Sequence, residues 1–204
     1  MLGCCLLCRA AFIQSPFMCP DCLQLLERLS SLNSDLAEYS QNWQRFCCLG
    51  SYQGPLMKMI SKAKFGHDLT MLNALALMFS AMLKNKGFDS DTVLIPVPMA
   101  KERLYQRGFN QSVVLAKTIS GALNLSIDTD LISNRCKAKT QHQLSRKQRM
   151  DNMKGAFQCH KAAPPKVAII DDIYTTGATI HAMCRSLKRF GCEYIEIWII
   201  AKTL

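Results

Sequence analysis

The sequence predicts an α/β domain built on a mostly parallel sheet, and three observations carry that prediction. Short apolar runs alternate with stretches of helical periodicity. The runs are apolar at nearly every position, as in strands covered by helices on both faces. Two of them end in polar turns that lead into helices, the arrangement that places ligand sites at the carboxyl ends of parallel strands.

The elements follow in order. Arg45 to Tyr52 reads as a strand, and Leu56, Met59, Ile60 and Ala63 then repeat at helical spacing after Gly54-Pro55, a plausible helix start. Lys58 and Lys62 share the other face and read as solvated surface, whereas Lys64 closes that helix just ahead of Gly66 and is harder to dismiss. Leu72, Leu75, Ala76, Phe79, Met82 and Leu83 form the stripe of a longer helix, with Gly87 as its stop. Thr92 to Val97 is a strand, and residues 111–123 form a helix that Asn110 caps. Lys166 to Ile170 is a strand feeding a loop and a helix striped by Ile180, Met183, Cys184 and Leu187, and Tyr194 to Ala201 is the last strand.

The chain has 204 residues, 49% of them hydrophobic, which suits one domain of ordinary size with a small appendage. No apolar run approaches the roughly 18 residues of a membrane span. The opening MLGCCLLCRAAFI lacks a basic start and a small-residue cleavage site, so no export is expected and the cytoplasm is the expected location. An odd count of 11 cysteines agrees with a reducing compartment.

The net charge of +10 favours polyanionic partners: nucleic acid, phosphates or an anionic membrane surface met peripherally. It is unevenly spread. Arg135, Lys137, Lys139, Arg146, Lys147, Arg149 and Lys154 face Asp151 alone, so residues 135–154 hold +6 of the total.

Cys5-x-x-Cys8 and, ten residues on, Cys19-x-x-Cys22 have the spacing of a zinc ribbon. Each C-x-x-C turn aims two thiolates at one point, and two such knuckles complete a closed tetrahedral site for structural Zn(II). Cys4 adjoins Cys5 and could take its place. The expected division is a head and connector over 1–43 and the α/β body over 44–204.

The chemistry is expected where strands end. Val167 to Thr179 is a buried strand, two acids, a hydroxyl-rich turn and a helix start. Backbone amides of the turn, with the hydroxyls of Thr175, Thr176 and Thr179, can surround a phosphate at the positive end of the helix dipole, and Gly177 permits close approach. Asp171 and Asp172 suit paired sugar hydroxyls. Since adjacent residues of an extended chain face opposite ways, one acid is expected to meet the ligand and the other to bend the loop or reach a second hydroxyl. At the end of the other strand, Lys101, Arg103 and Arg107 can present positive charge to a diphosphate.

The run from Val167 to Thr179 resembles the phosphoribosyl pyrophosphate (PRPP) signature of type I phosphoribosyltransferases. The stretch Arg107-Gly108-Phe109-Asn110-Gln111 after a Pro-x-Pro strand end is similar to the ComF branch of that superfamily, bacterial proteins associated with uptake of transforming DNA. Thr140, Gln143, Leu144, Arg149, Asn152 and Phe157 fall where ComF proteins carry T-x-x-Q-L, R-x-x-N and G-A-F, and the four-cysteine module belongs to the same family. The resemblance implies a type I phosphoribosyltransferase-like sheet with a zinc-ribbon head. It implies a pocket in which Asp171 and Asp172 hold ribose and act as the catalytic pair of any transfer. Tyr174, Thr175, Thr176, Gly177, Ala178 and Thr179 would hold the 5′-phosphate, and Lys101 and Arg107 the pyrophosphate that Mg(II) accompanies.

The resemblance implies a competence protein supporting entry of single-stranded DNA into the cytoplasm, with a helicase-like competence ATPase as a further partner. Single-stranded DNA would run along Lys137, Lys139, Arg146, Lys147 and Arg149, a segment that could equally close over pyrophosphate. Tyr105, Phe109 and Tyr174 are candidates for base stacking or for ordinary packing. The alternatives are an orphan phosphoribosyltransferase acting on a nitrogen nucleophile, and a zinc-ribbon adaptor with a vestigial pocket. The chain has no G-x-x-x-x-G-K-[ST] loop, so it is not expected to power translocation itself.

Overall fold

A computed structural model describes residues 3–6, 8, 10–12, 18–22, 24, 40–65, 68–135 and 155–203. At the start, Gly3–Cys4 (β1) and Ala11–Phe12 (β2) pair antiparallel. The body continues through strand β3 (Arg45–Ser51), helix α1 (Gly54–Phe65), helix α2 (Leu69–Lys86), strand β4 (Val93–Pro96), helix α3 (Lys101–Arg107) and helix α4 (Gln111–Leu123). Strands β5 (Ile132–Asn134), β6 (Phe157–Cys159) and β7 (Lys166–Tyr174), helix α5 (Ala178–Arg189) and strand β8 (Tyr194–Lys202) complete it.

The main sheet has the order β3-β8-β7-β4, every pairing parallel. Alternation along the central strands explains why they are apolar throughout. Ala168, Ile170, Trp198 and Ile200 pack with Met59 and Ile60 of α1, Leu72 and Phe79 of α2, and Leu115 and Ile119 of α4. Val167, Ile169, Ile195, Ile197 and Ile199 pack on the opposite side with Ile180, Met183, Cys184 and Leu187 of α5 and with Phe157 of β6. The expected helix-flanked, mostly parallel sheet is the one observed.

Local chemistry sets the helix ends. Asp68 accepts a hydrogen bond from the Met71 backbone N–H at 3.2 Å to start α2, and Asn110 accepts from Ser112 N–H at 3.0 Å to start α4, as its side chain predicted. Two features differ from the sequence reading. The strand expected to stop at Ile170 continues to Tyr174, because β8 runs on to Lys202 and supplies ladder partners, so the two acids lie on the strand and not in the loop. The basic segment is flanked by the antiparallel pair β5 and β6, whose three-residue strands carry no periodic signal.

Cys5, Met18, Cys19 and Cys22 belong to the same apolar cluster as α1, α2 and α4, so the cysteine module shares its core with the body. Among the described residues no helix is long and apolar enough to cross a membrane.

Candidate functional site

β4 and β7 run side by side to the same edge, but β4 ends at Pro96, opposite Ile170, while β7 continues four residues further. The last link between them is the Val97 N–H donating to the Ile170 carbonyl at 3.0 Å. Beyond it Asp171 and Asp172 lie past the point where β4 ends and its chain leads through residues 97–100 into α3. A crevice at the carboxyl end of adjacent parallel strands is the position at which open α/β sheets bind ligands.

Each acid is held by a different helix of one layer. Asp171 Oδ1 accepts from Ser112 Oγ at 2.8 Å and from the Asp172 backbone N–H at 2.9 Å. Ser112 is delivered there by Asn110, whose Oδ1 caps α4 and whose Nδ2 donates to the Val97 carbonyl at 2.9 Å, pinning the start of α4 to the end of β4. Asp172 Oδ2 lies 2.8 Å from the ammonium of Lys64 at the end of α1. That contact is off hydrogen-bond alignment, so it is a Coulombic pair more than a directional bond. Burial, then the charge of Asp172, pushes Asp171 up to about 7, against the opposing effects of Ser112, the Asp172 N–H and Lys64.

The turn follows directly. Gly177 sits at φ 71°, in the left-handed region, and a Cβ there would lie 2.3 Å from the Tyr174 hydroxyl, so only glycine closes this turn. Helix α5 then starts with no side-chain cap on Gly177, leaving its leading amides toward the turn, where the Ala178 N–H meets Thr176 Oγ1 at 3.5 Å. Thr175 is exposed, and Thr176, Ala178 and Thr179 are half-buried. Tyr174 is buried behind the turn, edge-on to Phe46 with ring centroids 5.2 Å apart. Of the three stacking candidates, Tyr174 is therefore packed, Phe109 lies against the core, and Tyr105 stands 88% exposed.

Lys101 opens α3 exposed and Arg107 ends it half-buried. Among the described residues neither forms an ion pair with Asp171 or Asp172. Lys137, Lys139, Arg146, Lys147 and Arg149 lie outside the described residues. Their flanks do not: the Asn134 amide at the end of β5 donates to the Pro98 carbonyl at 3.3 Å, and the Arg135 N–H to the Ala156 carbonyl at 2.7 Å. The chain thus leaves for the basic segment beside the loop that follows β4. Ser112 and Lys64 were not assigned to the site by sequence; their signals were a serine two residues after a capping asparagine and a lysine ending an amphipathic helix.

In the head, the sulfurs of Cys5, Cys8, Cys19 and Cys22 all lie within 4.8 Å of one another, with Cys8 and Cys19 3.6 Å apart. Zinc–sulfur bonds of about 2.3 Å place tetrahedral sulfurs about 3.8 Å apart, so the four thiols fit a metal ion. Burial, then the neighbouring thiols, pushes the Cys22 thiol up, so thiolates crowded here call for a cation. Cys5 belongs to the group; Cys4 sits exposed on β1.

The raised Asp171 has a consequence for stability. A carboxyl that titrates near 7 when folded and near 3.8 otherwise stabilises the fold below its unfolded value and loses that contribution as pH rises through about 7. Asp171→Asn keeps the Oδ1 acceptor for Ser112 and carries no charge. It is expected to raise the unfolding free energy at about pH 8 by about 1–3 kcal/mol and to flatten stability between about pH 4 and 7, measured by urea denaturation. A variant with the wild-type pH profile would contradict the environment described for Asp171.

No family model matches the chain. Partial likeness is found to a purine phosphoribosyltransferase from Pyrococcus horikoshii (16% identity, 62% of this chain and 68% of that one, TM-score 0.39). A hypoxanthine phosphoribosyltransferase from Staphylococcus aureus gives 20% identity over 64% of this chain and 62% of its own, with a TM-score of 0.38. Among sequences, the chain is 28% identical to the DNA utilization protein YhgH of Escherichia coli K12 over 99% of this chain and 91% of that one. Identity to competence protein F of Haemophilus influenzae is 26% over 98% and 90%. Identity to competence protein ComFC of Bacillus subtilis is 30% over 69% and 57%. In the first two of these pairs the likeness runs almost from end to end of both proteins, so the chain is similar over nearly its whole length to a DNA utilization protein and to competence protein F.

Proposed function

We propose that the protein is a ComF-type factor supporting uptake or use of single-stranded DNA, with a pocket for PRPP or a related sugar phosphate at the carboxyl edge of β4 and β7. The observation that carries the pocket is the succession, within one strand end, of two engaged carboxylates, a turn only glycine can close and a start of α5 whose N-cap, Gly177, has no side chain to meet the leading amides. The turn amides and threonines would take the phosphate at the positive end of the helix. Asp171 and Asp172 would accept from the ribose hydroxyls, and Lys101 and Arg107 would meet the diphosphate. Mg(II) bound with the diphosphate would neutralise its charge. Mg(II) is usually held by one or two carboxylates together with substrate phosphates, so the ion would arrive with the ligand's diphosphate.

The names of the relatives, DNA utilization and competence proteins, support the DNA half of the reading. The departure of the basic segment beside the β4 loop supports a surface shared by nucleic acid and pocket. Zn(II) is the metal best suited to the four thiols, and a closed S4 site gives it a structural role.

Three measurements follow. Calorimetry should show that wild type binds PRPP with Mg(II) and that Asp171→Ala weakens binding about tenfold or more; no heat from wild type would sink the pocket, and release of pyrophosphate with a nitrogen nucleophile would make the protein a transferase. Anisotropy with single-stranded oligonucleotides should show affinity falling with salt, and the double substitution Arg146→Ala/Lys147→Ala should reduce the slope by about 1.4, at about 0.7 per lost phosphate contact. Equal slopes would remove that segment from the interface. Metal analysis should find about one zinc per chain and little in Cys5→Ser, with a lower Tm because the module shares the body's core; zinc unchanged in Cys5→Ser would refute this ligand set.

A further inference from the structure

Lys64 departs from the other lysines of its helix. Lys58 and Lys62 of α1 are exposed, yet Lys64 turns inward with its side chain 18% exposed and sets its ammonium 2.8 Å from an Asp172 side chain that is itself 10% exposed. Ordering a long stem and stripping water from an ammonium both cost free energy, and a surface lysine incurs neither.

The surroundings show what the ammonium compensates. Asp171 and Asp172 are consecutive on β7, so two carboxylates stand at one covered sheet edge. From α4 Asp171 meets the neutral hydroxyl of Ser112. The end of β4 and its loop, Pro96 to Ala100, carry no charge. On β8, Lys202 stands opposite Tyr174 with its ammonium over the Phe46 and Tyr174 rings, 5.8 and 6.0 Å from their centroids. Among the described residues, Lys64 is the cation paired with one of the two acids.

We propose that Lys64 is a positioning residue for the acid pair: bound to Asp172, it balances one of two adjacent negative charges and lets Asp171 and Asp172 stand together as carboxylates able to accept from neighbouring hydroxyls of a sugar phosphate. The ligand named here rests on the pocket proposed above; the charge arrangement rests on the ion pair itself. With Lys64 the unit carries a net charge of one; without it, two buried charges lie side by side. Since Lys64 opposes the upward push on Asp171, its removal pushes Asp171 further up, so that a larger share of it holds a proton at neutral pH. A protonated Asp171 accepts less well from a hydroxyl, so the ligand is lost through protonation and not through a missing contact.

Two readouts on the full chain test this. The carboxyl carbon of Asp171 is titrated by carbon-13 NMR, assigned with Asp171→Asn, and binding of PRPP with Mg(II) is measured over the same pH range. Lys64→Met keeps the apolar stem and is expected to raise the Asp171 midpoint by about one pH unit, to weaken binding about fivefold at neutral pH, and to recover affinity as pH rises. Lys64→Arg is expected to keep both near wild type. A folded Lys64→Met protein with the wild-type midpoint overturns the role of Lys64. Should that variant fail to fold, Lys64→Gln supplies the neutral side chain for the same comparison. Wild type that binds no PRPP at any pH overturns the sugar-phosphate pocket, while the NMR titration decides the charge balance independently.

Discussion

Two carboxylates on consecutive residues, at the point where a buried parallel strand outruns its neighbour, are the constraint around which this site is organised. Left alone, they would repel each other and resist leaving water. They are tolerated because two helices of one layer meet them separately, α4 with the Ser112 hydroxyl and α1 with the Lys64 ammonium. The strand end, the start of one helix and the end of another are thereby fixed relative to one another. Each acid retains one oxygen outside these contacts, Oδ2 of Asp171 and Oδ1 of Asp172, since the partners engage only Oδ1 of the first and Oδ2 of the second.

The same economy of parts appears in the loops. Asn110 uses one side chain for two tasks, capping α4 and holding the Val97 carbonyl, so the start of α4 cannot drift from the end of β4. Gly177 meets a steric demand set by its own strand: the Tyr174 hydroxyl fills the space a Cβ would need. Tyr174 is in turn fixed by Phe46 on β3, so the shape of the turn depends on the far edge strand as well as on its own sequence. Packing ties the head to this framework in a similar way, since Cys5, Cys19 and Cys22 are buried in the same apolar cluster as residues of α1, α2 and α4.

The alternation of apolar strands with amphipathic helices, the Asn110 cap, the Gly87 stop and the paired C-x-x-C knuckles are local statements, and local physics suffices to read them from sequence. Continuous apolar runs announce a sheet covered on both sides whatever its strand order. Two acids followed by a threonine-rich turn and a helix make the sequence pattern on which the proposed anion site rests, because dipole, amides and hydroxyls all come from neighbouring residues.

What the sequence could not decide is everything that needs a second segment. The length of β7 depends on β8, which is continued far enough to pair with Tyr174 and so draws the acids onto the strand. The partners of those acids come from residues 59 positions away for Ser112 and more distant still for Lys64, and no spacing rule links them. The sheet order β3-β8-β7-β4, which joins the first strand of the body to the last, is likewise a matter of which faces bury together. Residue types and their spacing determined the chemistry on offer; long-range packing decided which charge meets which, because a Coulombic pair and a buried face depend on distance in space, on which sequence separation is silent.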